Sequence, residues 1–268
     1  MTPSALKRMT QPPALRRLGA TKAALGTLAV AGITVPAEVA LRAITFRNRN
    51  YLPIWFHRGL ARSLGVKIIC HGRPAGSRGV LYVANHLSWA DIPVLGARID
   101  AAFVAKSEVA GWGPVGWLAS FANTVYVARD RRHSAGAQKS AIAQRLASGQ
   151  SVILFPEGTN SDGVDVLPFK SALFSVIDDV DVQVQPVTLA YTRVNGLPVT
   201  RRQLPDLAWV GDTGLGGHAL GFARLGRVQA EIMFHPPVDR SAFADRKALA
   251  RHCERVIADG YRRLMRSG

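Results

Sequence analysis

Short apolar runs rich in valine and isoleucine recur along this chain, with helical segments between them. Val66–His71, Gly79–Ala84, Ala101–Ala105, Thr124–Val127, Ser151–Phe155, Val184–Tyr191 and Val228–Phe234 have the length and side-chain content of strands. Asp91–Ala97, Pro114–Ala122 and Ser134–Ala147 read as helices. In the third, Ser134 stands ready to cap, Ile142 and Leu146 share a face, and Gly149 stops the helix. A last amphipathic helix is expected over Ser241–Met265, with Leu249, Cys253, Val256 and Ile257 inward and its arginines facing solvent or membrane. Strands alternating with helices predict an α/β fold: a mixed central sheet with helices on its faces. At 268 residues and 48% hydrophobic content, one large domain with a short N-terminal appendage can bury its core.

Two of the strand candidates run into polar turns. Gly79–Ala84 leads into Asn85-His-Leu-Ser-Trp-Ala-Asp91. A neutral imidazole takes a proton near pH 7, and a carboxylate on its other nitrogen fixes the tautomer. In one continuous helix His86 and Asp91 would point about 140° apart, so His86 belongs in the turn and Asp91 in the first turn of the next helix, with Ser88 as its cap. The plainer alternative is a loop histidine beside a capping aspartate. Ser151–Phe155 leads into Pro156-Glu-Gly-Thr-Asn-Ser-Asp-Gly163, where proline and glycine bracket Glu157. That segment alone is equally a polar turn with an exposed glutamate.

The charge balance selects partners. The formal net charge is +16, which calls for an anionic partner or surface. Glu38 is the sole acidic residue before Asp91, while Lys7, Arg8, Arg16, Arg17, Lys22, Arg42, Arg47 and Arg49 flank the uncharged apolar stretch Ala23–Ala37. Basic flanks around an apolar segment suit an anionic leaflet. Aromatics are only 7%, and no zinc-finger or RNA-recognition spacing is present, so nucleic acid is not expected as a partner. The division is a basic disordered tail over 1–21, where Pro3, Pro12 and Pro13 oppose a long helix, membrane-associating helices over 22–60, and the main domain over 61–268. Ala23–Ala37 is short for a spanning helix. With Pro36 breaking it and Val39–Phe46 following, the expectation is a helical hairpin in or on the membrane; a signal peptide is the rival reading. Tyr51, Trp55 and Phe56 are interfacial anchors or core packing.

The pair Asn85-His86-Leu-Ser-Trp-Ala-Asp91 and Phe155-Pro-Glu-Gly-Thr159 resembles the phospholipid/glycerol acyltransferase family. Asn123-Thr-Val-Tyr-Val-Ala-Arg129 and Val184-Gln-Pro-Val-Thr-Leu-Ala190 are similar to further family blocks in the same order; Leu64–Gly72 and Phe169–Phe174 also look familial. The resemblance covers roughly residues 50–235. It implies O-acyl transfer from acyl-CoA or acyl-carrier protein to a lysolipid hydroxyl, with neither cofactor nor metal, by a monotopic or peripheral protein on the cytoplasmic face of the inner membrane. His86 would be the base and Asp91 its orienting partner. Glu157, Gly158 and Thr159 would meet the acceptor, Arg129 and Lys106 its anionic groups, and amides near Gly158 or Asn85 the oxyanion.

Asn160 departs from the pattern, because many phosphatidate-forming members carry arginine there. Lysophosphatidate is the first expectation for the acceptor, with lyso-ornithine lipid, which lacks phosphate, as the alternative. Arg131 and Arg132 are further cations available to a phosphate, and Trp112, Trp117 and Phe121 would line an acyl tunnel or pack in the core. Other classes fit less well. A Ser-His-Asp hydrolase needs a nucleophile elbow that is absent. A non-catalytic membrane-binding protein leaves the two motif blocks unexplained. Gly214–Gly221 fits no nucleotide fingerprint, and Asp178-Asp-Val-Asp181 reads as a cap or solvated cluster. Cys70, expected to be packed in a strand, and Cys253 are too few for a disulfide framework.

Overall fold

The structure, a computed structural model, describes residues 13–45, 53–76, 79–111, 113, 116, 124–127, 134–178, 180–211 and 214–268. Strands form where the β-branched runs lie: β1 (Val66–His71), β2 (Leu81–Ala84), β3 (Ala102–Lys106), β4 (Val125–Val127), β5 (Val152–Leu154), β6 (Gln183–Val194), β7 (Leu197–Pro198), β8 (Val228–Phe234) and β9 (Val238–Asp239). They make one mixed sheet in the order β1-β8-β6-β2-β5-β3-β4, with β7 and β9 also on β6. β6, β2, β5, β3 and β4 run parallel; β8 is antiparallel to β6, and β1 follows β8.

The central strands are buried on both faces, as parallel strands covered by helices must be. Side chains of β2 alternate between two cores. Leu81 and Val83 join Leu154, Phe174, Ile142 and Ile257, while Tyr82 and Ala84 join Phe103, Ile153 and Phe155. Each fully buried leucine or phenylalanine contributes about 1.5–3 kcal/mol. β1 lies at the sheet edge, so Cys70 is exposed rather than packed, while Cys253 is buried.

At the N-terminus α1 (Pro13–Thr45) is one helix of 33 residues that carries Pro36 inside it. Two expectations are corrected here. Pro36 does not break the helix, and the presumed tail is helical from Pro13, because proline is at ease in the first helical turn. The hairpin partner is instead α2 (Pro53–Ser63). A Cβ on Gly26 would meet Ser63 and one on Gly59 would meet Val30, which fixes an antiparallel pair in close contact through small residues. Leu25, Leu28, Ile33, Val39 and Ile44 of α1 are exposed, and Gly19–Leu41 is long and apolar enough to cross a membrane by length and composition. Tyr51 lies outside the described residues. Trp55 is exposed under the Arg58 guanidinium, whereas Phe56 turns in against His57.

The remaining helices are α3 (Asp91–Gly96), α4 (Ser134–Ala147), α5 (Leu204–Leu207), α6 (Leu215–Arg224) and α7 (Arg246–Ser267). The expected Pro114–Ala122 helix lies outside the described residues except at Gly116. α7 starts later than Ser241 because Asp245 is its cap, accepting from the Ala248 N–H at 2.7 Å. Leu249, Cys253 and Ile257 point inward as expected, and Val256 is half-buried. Asp178 of the acidic cluster pairs with Arg246 at 2.7 Å.

Candidate active site

Sheet register brings the two polar turns together. β2 and β5 are parallel neighbours with Val83 opposite Leu154. Continuing that register by three residues sets His86 opposite Glu157, just beyond the C-terminal edge where α/β sheets hold ligands. β3 ends at the same edge, with Phe103 opposite Ile153.

His86 lies in the turn and Asp91 opens α3, as the spacing required. His86 Nδ1 is 2.8 Å from Asp91 Oδ2. The same oxygen accepts the N–H groups of Leu87 at 2.7 Å and Ser88 at 2.9 Å, and Oδ1 accepts the Tyr191 hydroxyl at 2.8 Å. Asp91 is fully buried. With donors converging on its carboxylate, the histidine proton belongs on Nδ1, which leaves Nε2 as the basic nitrogen. Among the described residues Nε2 has no partner. The ring stacks on Phe155 with centroids 4.0 Å apart. Burial, the neighbouring Asp91 charge and the hydrogen bond to it push the Tyr191 phenol well up, so it stays a donor.

Glu157 lies beneath the turns rather than in the opening. It is 1% exposed. Oε1 accepts the His86 backbone N–H at 2.7 Å and Oε2 accepts the Leu167 N–H at 3.0 Å. Burial pushes its carboxyl up to about 8, against the pull of those two N–H groups. The expected contact between Glu157 and the acceptor headgroup is therefore corrected: both oxygens already serve the backbone, and the residue is a strut between two loops. Gly158 takes the left-handed conformation, φ 71°, and its N–H is directed to Phe155 O at 3.1 Å, which removes it as an oxyanion donor. Thr159 is exposed at the rim.

Asn85 and Asn160 are framework residues. Asn85 bonds both backbone groups of Leu189 at 2.8 Å, clipping the histidine turn to β6. The Asn160 amide donates to Trp209 O at 2.7 Å, and the Trp209 N–H returns to Leu87 O at 2.8 Å. Ser88 is not the cap of α3. Ala90 occupies that position, and the buried Ser88 hydroxyl has no partner among the described residues, because the first amides of the helix are already served: Asp91 N–H donates to Ser88 O, Ile92 N–H to Trp89 O, and Pro93 has no N–H. Arg129, Arg131, Arg132, Trp112, Trp117 and Phe121 lie outside the described residues; of Lys106 only the backbone at the end of β3 is described.

Sequence reasoning missed the supports. Trp89 Nε1 donates to His218 Nδ1 at 2.9 Å, and His218 Nε2 reaches Ala208 O at 3.1 Å. His218 sits on α6, in the glycine-rich stretch set aside as a decoy. The sole hints of Tyr191, Trp89 and His218 were their polar tips in apolar surroundings, which need partners when buried. A second line of rings joins Phe155 to Phe103 at 6.4 Å and Phe103 to His57 of α2 at 5.8 Å.

Residues 44–190 match the model of the Acyltransferase family. The lyso-ornithine lipid O-acyltransferase of Brucella abortus is 44% identical over 216 residues, 78% of this chain and 81% of the relative. The 1-acyl-sn-glycerol-3-phosphate acyltransferase of Neisseria meningitidis serogroup B is 35% identical over 162 residues, 60% of this chain and 63% of the relative. The crystal structure of the 1-acyl-sn-glycerophosphate acyltransferase of Thermotoga maritima shares the fold at 20% identity, TM-score 0.62, covering 93% of this chain and 97% of that one. The chain belongs to the acyltransferase family, and it is an enzyme of lysolipid acylation.

Proposed function

We propose that the chain is a lyso-ornithine lipid O-acyltransferase working at the cytoplasmic face of the membrane. The observation that carries the choice of acceptor is Asn160. Where a phosphate-reading arginine is expected, the neutral amide donates to the Trp209 carbonyl and holds the framework. An arginine would offer a planar fork to phosphate; this residue offers none. The high identity to the Brucella relative over most of both chains supports the same reading. It reverses the ranking drawn from motifs alone, in which lysophosphatidate came first. Lysophosphatidate remains the second acceptor to be assayed, on the strength of the Neisseria relative.

His86 Nε2 takes the proton of the acceptor hydroxyl as that oxygen attacks the thioester carbonyl of acyl-CoA or acyl-carrier protein. The carbon–oxygen bond forms, the carbon–sulfur bond breaks from the tetrahedral intermediate, and the proton passes from imidazolium to the departing thiolate. Asp91 stabilises the imidazolium. In the glutamate turn the amides of Thr159 and Asn160, which have no partner among the described residues, are the candidates for the oxyanion.

The test is transfer of labelled acyl groups to both lysolipids in parallel. Wild type is expected to acylate lyso-ornithine lipid, and His86→Ala to lose about 10³-fold or more. Turnover by His86→Ala at the wild-type rate removes the base; exclusive use of lysophosphatidate removes the acceptor.

A further inference from the structure

We propose that Lys170, laid across Gly158, is the cation that holds the anionic headgroup of the acceptor. This rests on the function proposed above and names the group that reads its substrate.

A Cβ on Gly158 would lie 3.0 Å from Lys170 Nζ, 3.2 Å from its Cδ and 3.4 Å from its Cε. The lysine stem thus lies against the motif turn along its length. Its backbone is held in place from both sides. The Lys170 N–H donates to Pro156 O at 2.9 Å, and the preceding Phe169 N–H donates to Glu254 Oε2 at 2.7 Å. Three residues earlier Leu167 bonds Glu157. The position of Lys170 is therefore tied to the same glutamate that holds the His86 amide.

No ion pair is formed by Lys170 among the described residues. Glu157, the nearest acid in sequence to Gly158, has both oxygens turned to backbone N–H groups. Lys170 is exposed, so its charge is open to an incoming ligand. It stands beside the turn whose own polar side chain, Asn160, is occupied elsewhere. An unpaired cation beside the loop of the basic histidine calls for an anionic group close to the reacting hydroxyl.

The chemistry of lysine defines the class of ligand. An ammonium is a point charge on a flexible stem and accepts carboxylate or phosphate without a fixed fork. The acceptor class is accordingly a lysolipid with an anionic group near its hydroxyl. Headgroup charge, not headgroup shape, is what Lys170 reads.

The full-length enzyme in lipid vesicles is assayed with lyso-ornithine lipid and with its carboxylate methyl ester. A parallel arm uses lysophosphatidate and uncharged monoacylglycerol. Wild type is expected to prefer the charged member of the pair it uses by about tenfold or more, the worth of one charge-assisted hydrogen bond. Lys170→Gln should raise KM for the charged member by a similar factor, leave the neutral member's KM where it was, and so erase the preference; Lys170→Arg should restore it. Matching melting temperatures separate these effects from unfolding. Equal losses on charged and neutral acceptors overturn the assignment. So does a rise in KM for the acyl donor instead of the acceptor, which would give the lysine to donor phosphates. If wild type acylates none of the four, the proposed function falls and this inference with it; if wild type is active and Lys170→Gln keeps its preference, only the lysine assignment falls.

Discussion

One oxygen of Asp91 receives the imidazole and two backbone N–H groups, while the other receives Tyr191. This makes two substitutions at one position diverge. Asp91→Asn can turn its amide toward the Tyr191 oxygen and keep its carbonyl under the three donors, so the loop survives but the charge facing the imidazolium is gone. Transfer is expected to fall by about 10³–10⁴ with a melting temperature close to wild type. Asp91→Ala strands every one of those donors at about 1–3 kcal/mol each and is expected to unfold the domain. Near-equal melting temperatures for the two would show that the donors do not depend on the carboxylate. His57 supplies a pH-dependent case. It is buried against Phe103 and Gly96, and burial lowers its pKa to about 4. A histidine held below its ordinary 6.5 favours the neutral folded state. Its contribution is complete above pH 6.5 and is lost as pH falls toward 4, by about 3 kcal/mol in all. Urea melts of His57→Leu should therefore show a shallower loss of stability between pH 6.5 and 4 than wild type; parallel curves would exclude this residue as the titrating group.

At the scale of elements, α6 supports the histidine turn. His218→Ala leaves the half-buried Trp89 N–H and the Ala208 carbonyl without their partner, and is expected to cost about 1–3 kcal/mol and to lower turnover more than acceptor binding. A rise in KM alone would mean that α6 touches the acceptor rather than the loop. This support also shows where sequence reading stopped. Every strand candidate is a strand, because β-branched runs bounded by polar turns carry a local signal, and the His86–Asp91 contact followed from a five-residue spacing. Gly214–Gly221 is read in the sequence only against nucleotide fingerprints, and Gly216, Gly217 and Gly221, poor helix formers, give no local helix signal; packing of His218 and Phe222 against Trp89 overrides that preference. Ser88 has the type of a cap, but the carbonyls of Ser88 and Trp89 take the Asp91 and Ile92 N–H groups and leave its hydroxyl no amide to serve. Tyr191 lies 100 residues from Asp91, and no local pattern reports such a pairing.

For the whole molecule, the α1–α2 hairpin is the proposed contact with the bilayer. At 33 residues α1 is about 50 Å long, with a run of exposed apolar side chains and basic residues near its start. Leu28→Glu combined with Ile33→Glu is expected to reduce co-sedimentation with anionic vesicles by about tenfold, since each carboxylate opposes burial in lipid, while a soluble short-chain acceptor is still turned over. Undiminished vesicle binding would move the contact to another face. The Glu157 strut has a consequence for this protein's evolution. Because one carboxylate splints the histidine turn to the 161–170 loop from below, the outer positions 159 and 170 are free to diversify as a detachable fascia. A new acceptor can be adopted by repainting that surface, with the chemistry behind it inherited intact.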